Sequence, residues 1–167
     1  MNSSDLIAMS IKGLMLDPVS NSPIVVLKDD DEKFFLPIWV GIFEANAIAL
    51  QLENITTPRP MTHDLLRNMI SELNARVIRI VINDLRDSTF FAQIRLAIGA
   101  GTDRTLEVDA RPSDAIALAL RTEAPIYVAQ SVLDQAQTIT PEEGDSEEKA
   151  KKWFENLSPE DLGKYKM

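Results

Sequence analysis

Asp109-Ala110-Arg111-Pro112-Ser113-Asp114-Ala115-Ile116-Ala117-Leu118 closes a strand and opens a helix within ten residues. The stretch Thr105 to Asp109 alternates as a strand does. Arg-Pro then breaks the pattern, a hydroxyl residue suited to capping follows, Asp114 falls in the first turn, and an apolar helix runs from about Pro112 or Ser113 to Arg121 before Pro125 stops it. The same order occurs some fifty residues earlier in Arg59-Pro60-Met61-Thr62-His63-Asp64-Leu65-Leu66, where Thr62 is the capping candidate. Two helix starts of this kind, the later one directly after a strand, point to helices packed on a sheet.

Working outward, Leu6 to Leu16 reads as a first strand, ended by the Asp17-Pro18 turn. Pro23 to Leu27 and Phe34 to Val40 read as the next two, joined by the solvated turn Asp29 to Lys33. An Ala- and Leu-rich helix is predicted over Phe43 to Glu53. The second helix starts at Thr62 and places Leu65, Leu66, Met69, Ile70 and Leu73 on one face at helical spacing. Strands are predicted over Val77 to Asn83 and Thr89 to Ile98, with Phe90, Ala92, Ile94, Leu96 and Ile98 turned inward. A short strand over Ile126 to Val128 and a helical turn over Val132 to Ala136 close the unit. The class is α+β: antiparallel or mixed sheet meanders with packed helices. Residues 1–136 form the domain, and 137–167 form an acidic linker with a short helical tail.

The chain has 167 residues, enough for one domain with a real core. Its 17 basic and 26 acidic residues leave a net charge of −9. That excludes the broad basic surface usual in nucleic-acid binders, so any phosphate contact must rest on a local arginine cluster or on metal ions. With no cysteine, disulfides, thiolate metal sites and a cysteine nucleophile are excluded. One histidine excludes paired-histidine chemistry and tri-histidine metal sites. No apolar run is long enough to cross a membrane, and Met1-Asn2-Ser3-Ser4-Asp5 does not begin a signal peptide, so a cytoplasmic protein is expected. Gly99-Ala100-Gly101 lacks the lysine and helix of a phosphate loop.

The chemistry-bearing residues gather at the two junctions. Arg59 and Arg111 carry planar donor forks that match phosphate oxygens, and each could equally pair with a carboxylate and brace a loop. Helix N-termini receive anions because their first N–H groups are free. Asp64 and Asp114 sit in first turns, where a carboxylate either caps the helix or serves as a ligand for Mg²⁺ or Mn²⁺, with Glu44 or Asp109 as further ligands. His63 is suited to general acid or base work, or to a hydrogen bond with a loop. Trp39 reads as a core or interface aromatic, with base stacking as the alternative.

Three blocks in order, Leu36-Pro37-Ile38-Trp39-Val40-Gly41 with Glu44-Ala45, then Arg59 to Leu66, then Asp109 to Leu118, closely resemble the bifunctional nuclease (BFN) domain family over roughly residues 6–135. At position 74, where that family usually carries glycine, this chain has Asn, which also tolerates the left-handed conformation that ends a helix. The resemblance implies an α+β domain, a tendency to form a homodimer, and hydrolysis of DNA and RNA phosphodiester bonds. In that scheme His63, Asp64 and Glu44 are catalytic, Arg59 and Arg111 bind phosphate, and Asp64, Asp114 and Asp109 hold a divalent cation. The alternative is a non-catalytic binding or regulatory module, oligomeric, that recognises an anionic ligand or a protein.

Overall fold

The computed structural model describes residues 5–136. The tail expected over 137–167 lies outside them. β-branched and aromatic runs bounded by turn residues become seven strands: β1 (Leu6–Leu16), β2 (Pro23–Asp29), β3 (Phe35–Trp39), β4 (Ala75–Arg86), β5 (Thr89–Ile98), β6 (Thr105–Ala110) and β7 (Ile126–Ala129). Four helices complete the unit: α1 (Ile42–Leu52), α2 (Thr62–Glu72), α3 (Pro112–Thr122) and α4 (Gln130–Gln135). The fold is α+β, as the strand and helix signals predict.

All seven strands form one sheet in the order β3-β2-β1-β7-β4-β5-β6. Two antiparallel meanders, β1-β2-β3 and β4-β5-β6, are joined by β7. It pairs antiparallel with β1 and parallel with β4, the single parallel pairing of the described strands. Only four residues long, β7 is buried at Ile126, Val128 and Ala129, and it turns two hairpin units into one core.

Cross-strand triplets set the faces. Ile80, Ile94 and Val108 stand in register, as do Ile82, Ala92 and Ala110, while Val81, Gln93 and Asp109 occupy the opposite face. Phe90, Ala92 and Ile94 of β5 are buried as the alternation predicts, but Leu96 and Ile98 are only half buried near the strand's open end. α3 is the central helix. It touches α1 and α2 on its flanks and β4 and β5 beneath, and Ala115 to Ala119 are all buried. Asn74 ends α2 at φ 60 and leads straight into β4, so asparagine does take the left-handed position.

Two expectations are corrected here. The N-cap of α2 is Met61 and not Thr62, and the N-cap of α3 is Arg111, which puts Pro112 at the first helical position and Ser113 inside the helix. The apolar stripe of α2 also fails to face the core. Leu65, Leu66, Met69 and Leu73 are 40–74% exposed, and only Ile70 packs inward. Polar groups hold α2 instead, as the site shows.

Candidate functional site

The two Arg-Pro junctions meet because α2 and α3 pack side by side. Each first-turn carboxylate reaches across to the other helix. Asp114 of α3 accepts from His63 Nε2 of α2 at 2.9 Å, and Asp64 of α2 accepts from Arg121 Nε of α3 at 2.7 Å. The symmetry of the motif is therefore broken in use. The Asp114 end builds an open cluster, and the Asp64 end builds a buried brace.

In the cluster, Arg111 is the centre. Its Nε donates to Asp114 Oδ2 at 2.9 Å and its Nη2 to Glu44 Oε1 at 2.7 Å. The same Nη2 lies 2.9 Å from Asp114 Oδ2, so the two carboxylates share one guanidinium nitrogen. Hydrogen bonds donated to Glu44 and then to Asp114 raise the Arg111 pKa above its ordinary value, which fixes the charge. Glu44 arrives there from the first turn of α1. Its carboxylate lies folded over Gly41, where any Cβ would collide with it. Glycine at the start of α1 is therefore what lets Glu44 reach Arg111.

His63 is buried, with its side chain 9% exposed. In the neutral ring, an Nε2–H donated to the Asp114 carboxylate leaves the lone pair on Nδ1. Nδ1 has no protein partner among the described residues. Phe43, Glu44, Asn46, Met61, His63, Arg111 and Asp114 line one cavity of about 350 Å³, within the range of small-ligand sites. A basic imidazole nitrogen, oriented by a carboxylate and set beside an arginine, is the composition of a proton-abstracting site for an anionic substrate.

The brace is different. Arg121, 2% exposed at its side chain, spends all three nitrogens inside: Nε on Asp64, Nη1 on the Ala117 carbonyl at 2.9 Å, and Nη2 on the Ala47 carbonyl at 3.0 Å. It thereby ties α3 to both α1 and α2. Asp64 Oδ2 accepts the Met61 N–H at 3.0 Å and caps α2. Burial acts to raise the Asp64 pKa. The Met61 N–H and Arg121 outweigh it and hold the carboxyl below its ordinary value.

The expected site residues thus fall into three groups. His63, Asp114, Arg111 and Glu44 come together. Asp64 is occupied by Arg121 and by its cap. Arg59 is exposed on the loop before α2, with no side-chain hydrogen bond or ion pair among the described residues, and Asp109 is exposed on the sheet face opposite Val108 and Ala110. Asp64, Asp114 and Asp109 do not converge, and the described residues contain no group of three or more acidic or histidine side chains placed to hold a metal. Glu44 and Asp114 are the two carboxylates that do meet. Their oxygens already surround a cation, and Mg²⁺ needs few protein carboxylates when water and substrate phosphate complete its shell. The cation they hold here is the Arg111 guanidinium. Trp39 is buried, with Nε1 donating to Asp17 at 3.0 Å, and so belongs to the core.

Sequence reasoning missed Arg121. A signal was present: the arginine follows Ala117 by four residues and Leu118 by three on a helix that is apolar from Ala115 to Leu120. A buried guanidinium needs a carboxylate partner.

The model of the bifunctional nuclease domain matches residues 25–141. An uncharacterized protein of Mycobacterium tuberculosis (strain H37Rv) is 38% identical over 162 residues, which covers 91% of this chain and 95% of that one. Bifunctional nuclease 1 of Oryza sativa subsp. japonica is 27% identical over 116 residues, and bifunctional nuclease 1 of Arabidopsis thaliana is 28% identical over 128. Those matches cover 70% and 71% of this chain but only 35% and 39% of the plant proteins.

Proposed function

The chain belongs to the bifunctional nuclease domain family, and from that premise we propose that it hydrolyses phosphodiester bonds of DNA and RNA at the His63–Asp114–Arg111–Glu44 cavity. One observation carries the reading. The only histidine of the chain lines the same cavity as Arg111, and Asp114 hydrogen-bonds both.

His63 Nδ1 takes a proton from water as its oxygen bonds to phosphorus. The imidazolium so formed is stabilised through Nε2–H by Asp114. As the P–O ester bond breaks, the leaving oxygen takes a proton from solvent. Arg111, with Nε and Nη2 engaged by Asp114 and Glu44, offers Nη1 to the phosphate oxygens where charge develops, and Glu44 fixes its orientation. Arg59, unpaired on the neighbouring loop, meets an adjacent phosphate. Glu44 and Asp114 would hold Mg²⁺ or Mn²⁺, which would supply charge neutralisation at the phosphate. The cation answers the electrostatic problem of a carboxylate-rich site in a chain of net charge −9.

The homodimer belongs to the same proposal. The outer face of α2, with Leu65, Leu66, Met69 and Leu73 exposed, is apolar enough to bury against a second copy. The rival reading, a non-catalytic binding or regulatory module, is favoured by Arg111 being held between two carboxylates as an architectural brace would be.

The test is cleavage of labelled single-stranded DNA, duplex DNA and RNA by the purified protein with Mg²⁺, with Mn²⁺ and with chelator, beside His63→Gln and Asp114→Asn variants. Metal-dependent cleavage lost in both variants supports the nuclease. Absence of cleavage by the parent chain, or cleavage that survives both substitutions, refutes this assignment.

A further inference from the structure

Of the large apolar side chains described, Phe43 is the most exposed, at 85%. Every other described aromatic ring has internal company. Phe35, Phe90 and Trp39 are buried, Phe34 packs on the core, Phe91 lies under Arg86, and Tyr127 lies under Arg79. Phe43 stands in the first turn of α1, where a helix usually places polar or acidic residues, next to Glu44, the residue that grips Arg111. It lines the same cavity as His63, Arg111 and Asp114.

We propose that Phe43 is a base-stacking platform that makes single-stranded nucleic acid the preferred substrate of this site. The proposal rests on the cavity being a phosphodiester site, as assigned above, and adds the conformation of its substrate. The physical argument joins three features. A bare aromatic face binds any nucleobase by stacking, without sequence preference. Arg111, on the same cavity, offers the phosphate contact that accompanies a stacked base. A duplex keeps its bases stacked on one another, so only an unpaired strand, or one opened at some cost, presents a base to Phe43. The helix start also fixes the backbone of Phe43, so the platform is held in place at the cavity rim. Ile42, 69% exposed beside it, widens the apolar surface.

The experiment uses the full chain in chelator, so that binding is read without cleavage. A short labelled single strand and its duplex are titrated by fluorescence anisotropy against the parent, Phe43→Ala and Phe43→Trp. Phe43→Ala is expected to weaken single-strand affinity on the order of tenfold, the loss of one stacked base, with little change for duplex. Phe43→Trp is expected to keep the affinity and to show added tryptophan quenching on the single strand. Equal single-strand affinity of Phe43→Ala and the parent overturns the proposal, as does an equal loss for both substrates. Sedimentation showing that the parent is a dimer and Phe43→Ala a monomer overturns it too, because Phe43 would then cover a second copy. Cleavage with Mg²⁺ or Mn²⁺ separates the two claims. Phe43-dependent binding without cleavage keeps the platform and removes the nuclease. Cleavage indifferent to Phe43 and to strandedness keeps the nuclease and removes the platform.

Discussion

Replacing Asp64 by alanine tests whether this carboxylate is a brace or a part of the chemistry. The substitution strands Arg121, whose side chain is 2% exposed and whose Nε has no other acceptor among the described residues. Removing one partner of a buried ion pair costs about 3–5 kcal/mol, because an uncompensated charge stays inside. The Ala117 and Ala47 carbonyls still hold the other two nitrogens, which favours the lower end. Loss of the Met61 N–H acceptor adds about 1 kcal/mol. The sum is about 4 kcal/mol. With an urea m-value of about 2 kcal/mol/M, the midpoint falls by about 2 M. Tm falls by about 8–16 °C for a chain of this size. The double variant Asp64→Leu/Arg121→Met removes both charges and should regain most of the loss, since apolar replacement of a buried pair is often neutral or better. A midpoint loss under about 0.5 M in Asp64→Ala, together with lost Mn²⁺ binding by calorimetry, would refute the brace and restore Asp64 as a ligand.

Gly41→Ala should fold with a urea midpoint near that of the parent, because Gly41 has an ordinary extended backbone (φ −69). Its methyl group would displace the Glu44 carboxylate and misalign Arg111, and cleavage should fall by about 10–100-fold, since small misplacements cost that much. An unchanged rate would show that Glu44 does not position Arg111. Acid should unfold the protein through Asp64. Its folded pKa lies below the ordinary 3.8, so its stabilisation is complete above the unfolded value and is lost as pH falls through the folded one. Urea melts from pH 5 downward should show a steep loss below about pH 4, flattened in Asp64→Leu/Arg121→Met. A Leu66→Lys/Met69→Lys variant should change monomer stability by under about 0.5 kcal/mol, since both side chains are exposed, and should sediment as monomer where the parent is a dimer. An unaltered sedimentation profile would exclude the α2 face as the contact between copies.

What was legible in the chain follows what each signal encodes. Strand alternation and helix periodicity are local, so six of the seven strands and all three long helices fall close to where the residues place them. β4 is the exception in extent: it runs from Ala75 to Arg86, well beyond Val77 to Asn83, because its pairing with β5 continues through two bulges. The α2 stripe was legible as one apolar face, but its surroundings were not. Periodicity reports that a face is apolar and not what covers it, and this helix is anchored through His63, Asp64 and Ile70 while Leu65, Leu66, Met69 and Leu73 stay outside. The site was half legible. First-turn Asp64 and Asp114 were visible as a pair, but which of them would find the buried Arg121 and which the His63 imidazole is decided by the packing of α2 on α3, a contact that no local window contains.

On the proposed function, a chain of net charge −9 must approach a polyanion, and the electrostatics of the cavity bear on how. Arg111 is held by Glu44 and Asp114, so without a divalent cation its pull on phosphate is weakened. That holding also preserves the geometry of the fork, and hydrogen bonds to the two carboxylates raise the Arg111 pKa. A divalent cation taking that position would free the guanidinium to turn toward a phosphate without leaving the carboxylates unpaired. Cation and substrate would then bind with mutual help, each lowering the cost of the other. On this account the brace and the catalytic readings of Arg111 are two occupancies of one cluster. A divalent ion should therefore tighten oligonucleotide binding in the parent and fail to do so in Glu44→Gln. Without that coupling, the carboxylates serve only to immobilise Arg111, and the module reading stands.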